Sequence, residues 1–494
     1  MRSVRLPVVV IAVALLVVAK RSLLGALDWD SSDDASGFRY QVTRQGNGMS
    51  AGESGASGDK WSSCRPDQLI YVYDLPPQFN VDLTTKECNL WWWAHPRNAC
   101  VVYSGEHWGI GPPLRDKKFS ALGTDEKLWA DTGQHALEVM FHHYLEKLYP
   151  CRTLDPEAAA AFYVPLYAGN LWHAQTAHEC GSNQTCCPTV PTLARLSSEL
   201  DAALKRLPYI GRHEGRDHFV TMALSTYFGV KNSTCCDSGL LNTPYTRAMT
   251  ILGTQPAEGH KDRQVNIPYP TAFHPVSLSD VTSHQSLITA SDRPFFVSFA
   301  GSLNRTWGLN SGRDVRAALK EQCDLQPDTC HLLVCAKFEC SIAENVELYL
   351  RSTFCLQPPG DSPTRRGVFD AIQAGCVPVL FMHETVSPYV EFLPELDKYS
   401  IFIPMDDVIR KGVNVIESLK KVSNGEIVAK RECMASILPR LVYRNVLRTL
   451  ESEGGLEGPD IRAKLLAEWT GAYEVAVQAA LAKMQHRVRK KDDQ

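Results

Sequence analysis

The apolar and polar positions of the chain predict two successive sets of strands and helices. Short apolar stretches between turn residues predict strands, and apolar residues three or four positions apart predict helices. Strands that alternate with helices are typical of parallel sheets, so we predict an α/β fold with two doubly wound domains. The first set has strands at 69–73, within 158–166, at 217–224 and at 265–269, and helices at 132–148 and 192–207. The second set has strands at 295–299, 331–335, 354–357, 377–381 and 399–403, and helices at 314–323, 345–351 and 363–374.

Two further regions complete the folded part. Residues 274–292 are polar and contain no clear strand, and we place the interdomain link there. Beyond residue 425 the pattern is helical through 450 and again from 460 to about 487, and the charged tail from 487 is expected to fray.

The N-terminus predicts a membrane anchor. Arg2 and Arg5 precede the apolar residues 6–19, and a second apolar piece follows Lys20 and Arg21. The first run alone resembles the apolar region of a signal peptide, but no small-residue cleavage site follows it, so we predict an uncleaved anchor. Positive charge ahead of the anchor places the N-terminus in the cytosol and the rest in a lumen. The predicted segments are a cytosolic tail 1–5, an anchor 6–27, a flexible stem 28–66, a first domain 67–280, a second domain 290–430, and C-terminal helices and tail 431–494.

Composition narrows the class of protein. The net charge of −4 gives no support to nucleic-acid binding, which requires a basic surface. Sixteen cysteines and three Asn-x-Ser/Thr sites, at Asn183, Asn232 and Asn304, agree with a secretory compartment. The intervals between the cysteines at 323, 330, 335 and 340 differ from those of zinc knuckles, so they favour disulfides over a metal site.

The stretch 352–381 predicts a strand, a Pro-Pro-Gly turn, a helix and a second strand, the unit from which nucleotide-binding sheets are built. Asp361 or Ser362 can cap the helix. The free N–H groups at the helix start, beside Ser362, Thr364, Arg365 and Arg366, then form a seat for a diphosphate. Arg366 and Asp370 lie four apart, so one can hold phosphate while the other accepts from ribose hydroxyls. The alternative is a surface ion pair on an amphipathic helix.

Seven stretches of the chain, taken together, form a recognisable pattern. They are IYVYDLPPQFN (70–80), AFYVPLYAG (161–169), GRDHF (215–219), VNIPYPTAFHP (265–275), FVSFAGS (296–302), FCLQPPGDSPTRRGVFDAIQAGCVPVLF (354–381) and YSIFIP (399–404). These stretches resemble the exostosin-like glycosyltransferase family, and within it the plant-type branch of xyloglucan galactosyltransferases. The resemblance implies a GT-B fold, in which two Rossmann-like domains face a cleft, the second holds a UDP-sugar and the first holds the acceptor. It also implies a single-pass type II Golgi protein and inversion at the anomeric carbon without an obligatory metal.

An inverting transfer needs positive groups for the departing diphosphate. Arg365 and Arg366 are the first candidates, and Arg305 is a further one. The alternative for Arg305 is a solvated loop arginine beside the Asn304 glycosylation site.

The same reaction needs a base for the acceptor hydroxyl. Asp217 and His218 precede a predicted strand, and the resemblance favours His218. The alternative is that the two side chains bond to each other and only order the loop. Glu106 and His107, on a glycine-rich loop, form the second candidate pair.

Aromatic side chains are candidates for the acceptor site because sugar rings stack on them. Trp92 and Trp93, within a run of three tryptophans, and Trp108 are the residues we predict to contact the acceptor, and core or dimer packing is the alternative.

The sequence thus predicts a glycosyltransferase that moves a sugar, with galactose as the candidate, from a UDP-sugar to a polysaccharide. The alternative is a non-catalytic partner with the same fold in a glycosyltransferase hetero-complex. The expected partners are the UDP-sugar, the glycan acceptor, the membrane and other copies or kinds of glycosyltransferase.

Overall fold

Two parallel sheets form the fold, as the alternation of strands and helices predicts. We call the part built on the first sheet the first lobe and the part built on the second sheet the second lobe. Both belong to one compact unit, Asp59–Gln494. The computed structural model describes residues 64–85, 107–114, 125–172, 191–223, 239–257, 259–303, 310–335, 340–360, 362–452, 454, 462 and 467–492. The predicted anchor, nearly all of the stem and the three glycosylation sites lie outside these residues.

Within the described residues, the first sheet has six strands in the order β2-β1-β3-β4-β5-β6, each parallel to its neighbour. Sequence analysis missed β2, which has two residues, and β5. The strands are β1 Ile70–Val72, β2 Arg152–Thr153, β3 Ala161–Tyr163, β4 His218–Met222, β5 Thr250–Gly253 and β6 Gln264–Asn266. The helices of this lobe are α1 Asp82–Thr85, α2 Leu137–His143, which continues as a π-helical turn Tyr144–Leu148, and α3 Pro191–Leu204.

The link between the lobes contains a helix, α4 Leu278–Ala290, that we did not predict. Ser277 caps it, because its side chain accepts from Asp280 N–H and the Asp280 carboxylate accepts from Ser277 N–H. Its buried positions are few, at Val281, His284 and Ile288, so the helix has too little apolar character to stand out in the sequence.

The second sheet has five parallel strands in the order β11-β10-β9-β7-β8. All five were predicted, with ends shifted by one to two residues. The strands are β7 Phe295–Gly301, β8 Cys330–Val334, β9 Ser352–Gln357, β10 Val377–Leu380 and β11 Ile401–Phe402. The helices between them are α5 Asn310–Asp324, α6 Ile342–Leu350 and α7 Arg366–Gln373.

The C-terminal helices return to the first lobe. Tyr473 stacks on Tyr144, with 4.3 Å between ring centroids. Arg487 donates to Thr250 Oγ1 and to the carbonyl oxygen of Ala248 beside β5. The tail expected to fray at 487 is therefore helical to residue 492, because the first lobe holds it. The helix that makes these contacts is α12 Ala472–Asp492. The other helices after β11 are α8 Met405–Arg410, α9 Val415–Leu419, α10 Asn424–Ile437 and α11 Val446–Ser452.

Disulfides join eight of the described cysteines. The four cysteines for which the sequence favoured disulfides form the pairs Cys323–Cys330 and Cys335–Cys340. Cys355–Cys376 connects β9 to the residue before β10 and encloses α7. Cys64–Cys151 ties the first described residue to the first lobe, three residues ahead of the boundary we predicted at 67.

Candidate functional site

The start of α7 gathers the predicted phosphate-binding residues at one end of the second sheet. The turn Pro358–Gly360 follows β9, and α7 begins at Arg366. The first N–H groups of a helix lack partners within it and form the positive end of its dipole. Ser362 and Thr364 contact each other on the approach to this end, with 3.2 Å between their hydroxyl oxygens. The structure thus brings Ser362, Thr364, Arg365 and Arg366 together.

The cap of α7 differs from the prediction. Asp361, one of the two expected caps, lies outside the described residues, and Ser362 bonds to Thr364 instead. The N-cap is Arg365, whose backbone is extended with φ −146° and whose side chain makes no capping hydrogen bond. Because Pro363 precedes this cap, it is not in the first helical turn. Of the described residues before this helix, neither Ser362 nor Arg365 caps its N–H groups with a side chain.

Arg366 and Asp370 form an ion pair, with 3.3 Å between Nε and a carboxylate oxygen. The side chains are 16% and 7% exposed, so this is not the surface pair of the alternative interpretation. Nη1 of Arg366 also donates to the carbonyl oxygen of Thr132 in the first lobe, at 2.7 Å. Burial raises the pKa of Asp370, and the charge of Arg366 opposes this rise. The pair holds α7 against the first lobe, a contact that the sequence did not predict, and its roles toward phosphate and ribose stay predictions.

A second arginine, Arg316 of α5, was missed by sequence analysis. Its side chain is fully buried, and its nitrogens donate to the carbonyl oxygens of Pro359 at 3.0 Å, Pro358 at 3.1 Å and Ser302 at 2.6 Å. Arg365 Nη1 donates to the same Pro358 oxygen at 2.6 Å. Two guanidinium groups therefore donate to the carbonyl oxygens of the turn before α7.

The sequence carried a signal for Arg316. It lies three and seven positions before Leu319 and Cys323, which are buried on the same face of α5. A charged side chain on the apolar face of an amphipathic helix needs polar partners in the core.

Contacts from the first lobe also reach the start of α7. Tyr269 Oη lies 3.4 Å from Thr364 Oγ1, and Gln255 Nε2 donates to the same phenol oxygen at 2.8 Å. Tyr389 of the second lobe donates to the carbonyl oxygen of Thr254 at 2.5 Å. Thr254 and Gln255 follow β5, at the carboxyl end of the first sheet. Ligands of open parallel sheets bind outside the carboxyl ends of the strands, so both sheets present that end to the start of α7.

Asp217 and His218 lie elsewhere, at the amino end of β4. His218 is fully buried; its Nδ1 donates to Asp217 at 2.7 Å and its Nε2 accepts from Tyr73 Oη at 3.1 Å. Arg212 donates to the other Asp217 oxygen at 2.5 Å. Burial alone would raise the pKa of Asp217, but the bonds to His218 and Arg212 outweigh it and lower that pKa. Both ring nitrogens of His218 are used and the ring stacks on Phe162, so this placement favours the structural alternative over the role of base.

The loop that carries the second candidate pair is described from His107 onward. Trp108 stacks on His143, with 4.7 Å between ring centroids and 10° between the planes, so one of its faces is covered. Its φ of +48° is in the left-handed region, which favours glycine. The predicted site residues Trp92, Trp93, Glu106 and Arg305 lie outside the described residues.

Glu138 of α2 is a buried carboxylate that sequence analysis missed. One of its oxygens accepts from the N–H groups of Gly169 at 2.7 Å and Ala223 at 3.1 Å, and the other accepts from Asn170 N–H at 3.1 Å. Burial raises the pKa of Glu138 to about 7, against the lowering effect of these three bonds. Ala223 directly follows β4, so Glu138 organises the carboxyl end of the first sheet. In the sequence, Glu138 lies three and seven residues before apolar residues on the same face of α2. A charged residue on this apolar face was the signal that could have identified it.

Within the described part of the chain, no group of three or more His, Cys, Asp or Glu side chains is placed to hold a metal ion. Nor does any helix there combine the length and apolar character needed to cross a membrane.

Comparisons with known proteins add family information to this geometry. The chain matches the Exostosin GT47 domain over residues 64–419. It is 31% identical over 396 residues to a probable xyloglucan galactosyltransferase, GT17, of Arabidopsis thaliana, covering 77% of this chain and 78% of the relative. It is 32% identical over 395 residues to the xyloglucan galactosyltransferase XLT2 of the same plant, covering 78% and 71%.

A third relative and one solved structure complete the comparisons. Xyloglucan-specific galacturonosyltransferase 1 of Arabidopsis thaliana is 32% identical over 390 residues, covering 76% of this chain and 53% of the relative. The crystal structure of the glycotransferase of kitacinnamycin aligns over 81% of this chain and 98% of its own length, at 11% identity. Its TM-score of 0.26 is too low to bear on the fold.

Proposed function

Because the chain belongs to the exostosin GT47 family and is a glycosyltransferase, we propose that it transfers a sugar from a UDP-sugar to a cell-wall glycan with inversion at the anomeric carbon. The relatives include xyloglucan galactosyltransferases and a galacturonosyltransferase. UDP-galactose is therefore the first donor to test, UDP-galacturonic acid the second, and xyloglucan the first acceptor.

The observation that carries the proposal is the presence of two arginines at the start of α7. The first N–H groups of the helix, the Arg365 guanidinium and the buried Arg316 guanidinium lie beside the turn Pro358–Gly360. Such a helix start binds phosphate because its N–H groups and its dipole both favour negative charge. The contacts of Thr364 and Arg366 with the first lobe put this seat beside the carboxyl end of the other sheet, where the acceptor would approach.

In the proposed reaction the acceptor hydroxyl oxygen forms a bond to the anomeric carbon. The bond from that carbon to the β-phosphate oxygen breaks, and its electron pair leaves with UDP. Arg365 and the N–H groups of α7 stabilise the charge that develops on the departing diphosphate. A base accepts the hydroxyl proton, and the candidates named from the sequence for this role stay predictions. The structural argument concerns the departure of UDP alone.

We further propose that the chain works in the Golgi lumen as a type II membrane protein. The four described disulfides support an oxidising secretory compartment, because disulfides are rare in the cytosol. Protease protection of residues 64–494 in sealed Golgi vesicles would support this orientation, and digestion of the same residues without detergent would contradict it.

The function is tested with a secreted fragment that begins at Asp59, the start of the compact unit, so that the Cys64–Cys151 disulfide is kept. Calorimetry with UDP tests the seat, and a screen of UDP-sugars with xyloglucan oligosaccharides tests transfer, with and without EDTA. We expect UDP binding and transfer in both conditions. Absence of UDP binding would contradict the donor proposal, and UDP binding without transfer would favour the non-catalytic partner. Loss of activity with EDTA would contradict only the metal-independent mechanism.

A further inference from the structure

A cavity of about 230 Å³ opens beside α11 and two loops of the first lobe. It is distinct from the start of α7 and contains none of the residues predicted to bind the donor. The loops contribute residues around His107 and Lys127, and α11 contributes Arg448 and Glu451. Trp129 and His274 form part of its inner wall.

The walls of the cavity are held by backbone contacts. Gly111 has φ +86°, and a Cβ at this position would lie 2.2 Å from the carbonyl oxygen of Asp131, so only glycine allows this approach. Ala130 N–H donates to the Ala272 carbonyl at 2.8 Å. Asn445 caps α11 by accepting from Arg448 N–H at 3.1 Å. The cavity is thus preformed, which lowers the entropic cost of binding.

The lining combines apolar surface with hydrogen-bonding groups of both kinds. Leu128 and Pro113 supply apolar surface. Lys127 supplies an ammonium donor and Glu451 a carboxylate acceptor, and neither side chain has a hydrogen-bond partner within the described ranges. Arg448 uses one of its nitrogens on the Lys127 carbonyl and has further donors to offer. A pyranose ring matches this mixture, since it presents apolar C–H faces and hydroxyls that both donate and accept.

The size of the cavity restricts the ligand. Pockets that enclose drug-sized molecules are roughly 300–1,000 Å³, so about 230 Å³ suits one sugar ring and not a whole nucleotide sugar. Two positive side chains and one negative side chain give the lining of the cavity a mixed charge, whereas the start of α7 carries several arginines.

Thr132 links the cavity to the donor seat. His274, in the cavity wall, has its Nε2 2.7 Å from Thr132 Oγ1, and the Thr132 carbonyl accepts from Arg366 of α7. We propose that the cavity is an acceptor subsite that binds one pyranose residue of the glycan chain, away from the sugar that carries the attacking hydroxyl. This inference rests on the proposed function. It adds the part of the acceptor that the enzyme recognises outside the reaction centre.

The test compares short and long acceptors. The double variant Lys127→Met/Glu451→Met removes a donor and an acceptor from the lining, and the variant Leu447→Trp fills the cavity from α11. The matched control is Lys421→Met/Glu432→Met, in which both residues are exposed outside the cavity. With xyloglucan oligosaccharides of two repeats, we expect both test variants to raise the acceptor KM about tenfold, the effect of losing two ordinary hydrogen bonds. The KM for a one-repeat acceptor, the KM for the UDP-sugar and kcat should stay unchanged.

Three outcomes would overturn the subsite: an unchanged KM for the long acceptor, an equal rise for short and long acceptors, or a rise in the KM of the donor. Thermal unfolding identifies variants that fail to fold, and the two test variants change different residues, so one can replace the other.

If the wild-type chain neither binds UDP nor transfers sugar, the proposed function has failed by itself. The cavity is then judged by saturation-transfer NMR with the two-repeat oligosaccharide, which should bind the wild type and the control but not Leu447→Trp. Equal binding to all three proteins would overturn the inference.

Discussion

Gly367 and Gln357 face each other so closely that a Cβ on Gly367 would lie 2.5 Å from the side-chain oxygen of Gln357. Gln357 ends β9 and is fully buried, and its amide nitrogen donates to Tyr349 Oη at 3.1 Å, which holds the side chain in place. The glycine therefore lets the first turn of α7 pack directly against the end of β9. The position of the proposed diphosphate seat depends on this contact.

We predict that Gly367→Ala destabilises the protein and weakens UDP binding. Alanine normally stabilises a helix by up to about 1 kcal/mol relative to glycine, but here the added methyl group overlaps Gln357, and such overpacking costs about 1–3 kcal/mol. Denaturant unfolding measures the stability, and calorimetry measures the UDP affinity. Gly425→Ala is the control, because Gly425 holds the same second position in α10 and its Cβ would meet nothing closer than 4.0 Å.

The two glycine variants should change stability in opposite directions. Combining Gly367→Ala with Gln357→Ala should cost less than the sum of the single changes, because the smaller side chain makes room for the methyl group. If Gly367→Ala were as stable as Gly425→Ala, the close packing of α7 on β9 would be wrong.

Arg366→Ala should raise the donor KM and lower kcat. The change removes a positive charge from the start of α7 and breaks the bond to Thr132 that holds this helix against the first lobe. Losing a charged hydrogen bond costs about 1.5–3 kcal/mol, so we expect kcat/KM for the donor to fall by about 10- to 100-fold. Steady-state kinetics at saturating acceptor measures the effect.

Arg410→Ala is the control for Arg366→Ala. Arg410 also pairs with an aspartate four positions away, Asp406, but its side chain is 77% exposed. Such surface pairs contribute little to stability, so this variant should behave as wild type. Donor kinetics that stay unchanged in Arg366→Ala would remove this residue from the donor site.

His218→Asn should lower the free energy of unfolding and leave kcat nearly unchanged. The change leaves Tyr73 and Asp217 with altered partners in the core, and breaking a buried charged network costs about 3–5 kcal/mol. A general base contributes about 10²- to 10⁴-fold to the rate, whereas a structural residue should alter kcat of the folded enzyme by less than about threefold. Turnover per folded molecule, measured below the unfolding transition, separates the two roles. A hundredfold loss of kcat in a folded variant would restore His218 as the base, and the exposed His213→Asn is the control for the substitution itself.

Local pattern predicted the strands of the second sheet because each is a short apolar run between turn residues. It also placed a helix between β9 and β10, although the helix begins at Arg366 and not at Pro363. The error arose because the expected cap, Ser362, bonds to Thr364 instead. The missed helix α4 shows the converse case, in which three buried positions leave too weak a periodic signal.

The candidate site could be predicted only where neighbouring residues build it. The start of α7 uses residues within one stretch, so the sequence located it. The bond from Arg366 to Thr132 joins residues 234 positions apart, and no local pattern reports such a contact. The surroundings of His218 were hidden for a related reason. Its position at a strand start was visible in the sequence, but its partners Tyr73 and Phe162 lie far away along the chain, and its role as base stays a prediction.

Glu138 should make the stability of the protein fall as pH rises. Its pKa is raised to about 7 in the folded chain, against 4.5 as its ordinary value. Between these two pH values the folded state binds the proton and the unfolded state does not, so the free energy of unfolding decreases with rising pH. The rise of this pKa from 4.5 to about 7 corresponds to a stabilisation of about 3 kcal/mol, which is fully lost above pH 7.

Glu138→Gln should remove this pH dependence, because its side chain stays neutral. The amide oxygen can still accept from Gly169 and Ala223, but the amide nitrogen meets Asn170 N–H, so the variant carries a constant cost of about 1–3 kcal/mol. Wild type should therefore be clearly more stable than the variant at pH 5, and the difference should shrink or reverse at pH 8.

Urea unfolding at several pH values measures the difference in stability between the two proteins. Taking this difference cancels the titration of the buried histidines that both proteins share. Glu432→Gln, an exposed carboxyl on α10, is the control and should show a constant difference from wild type. Parallel stability curves for wild type and Glu138→Gln would mean that Glu138 stays ionised in the folded chain, with its three N–H bonds sufficient to offset burial.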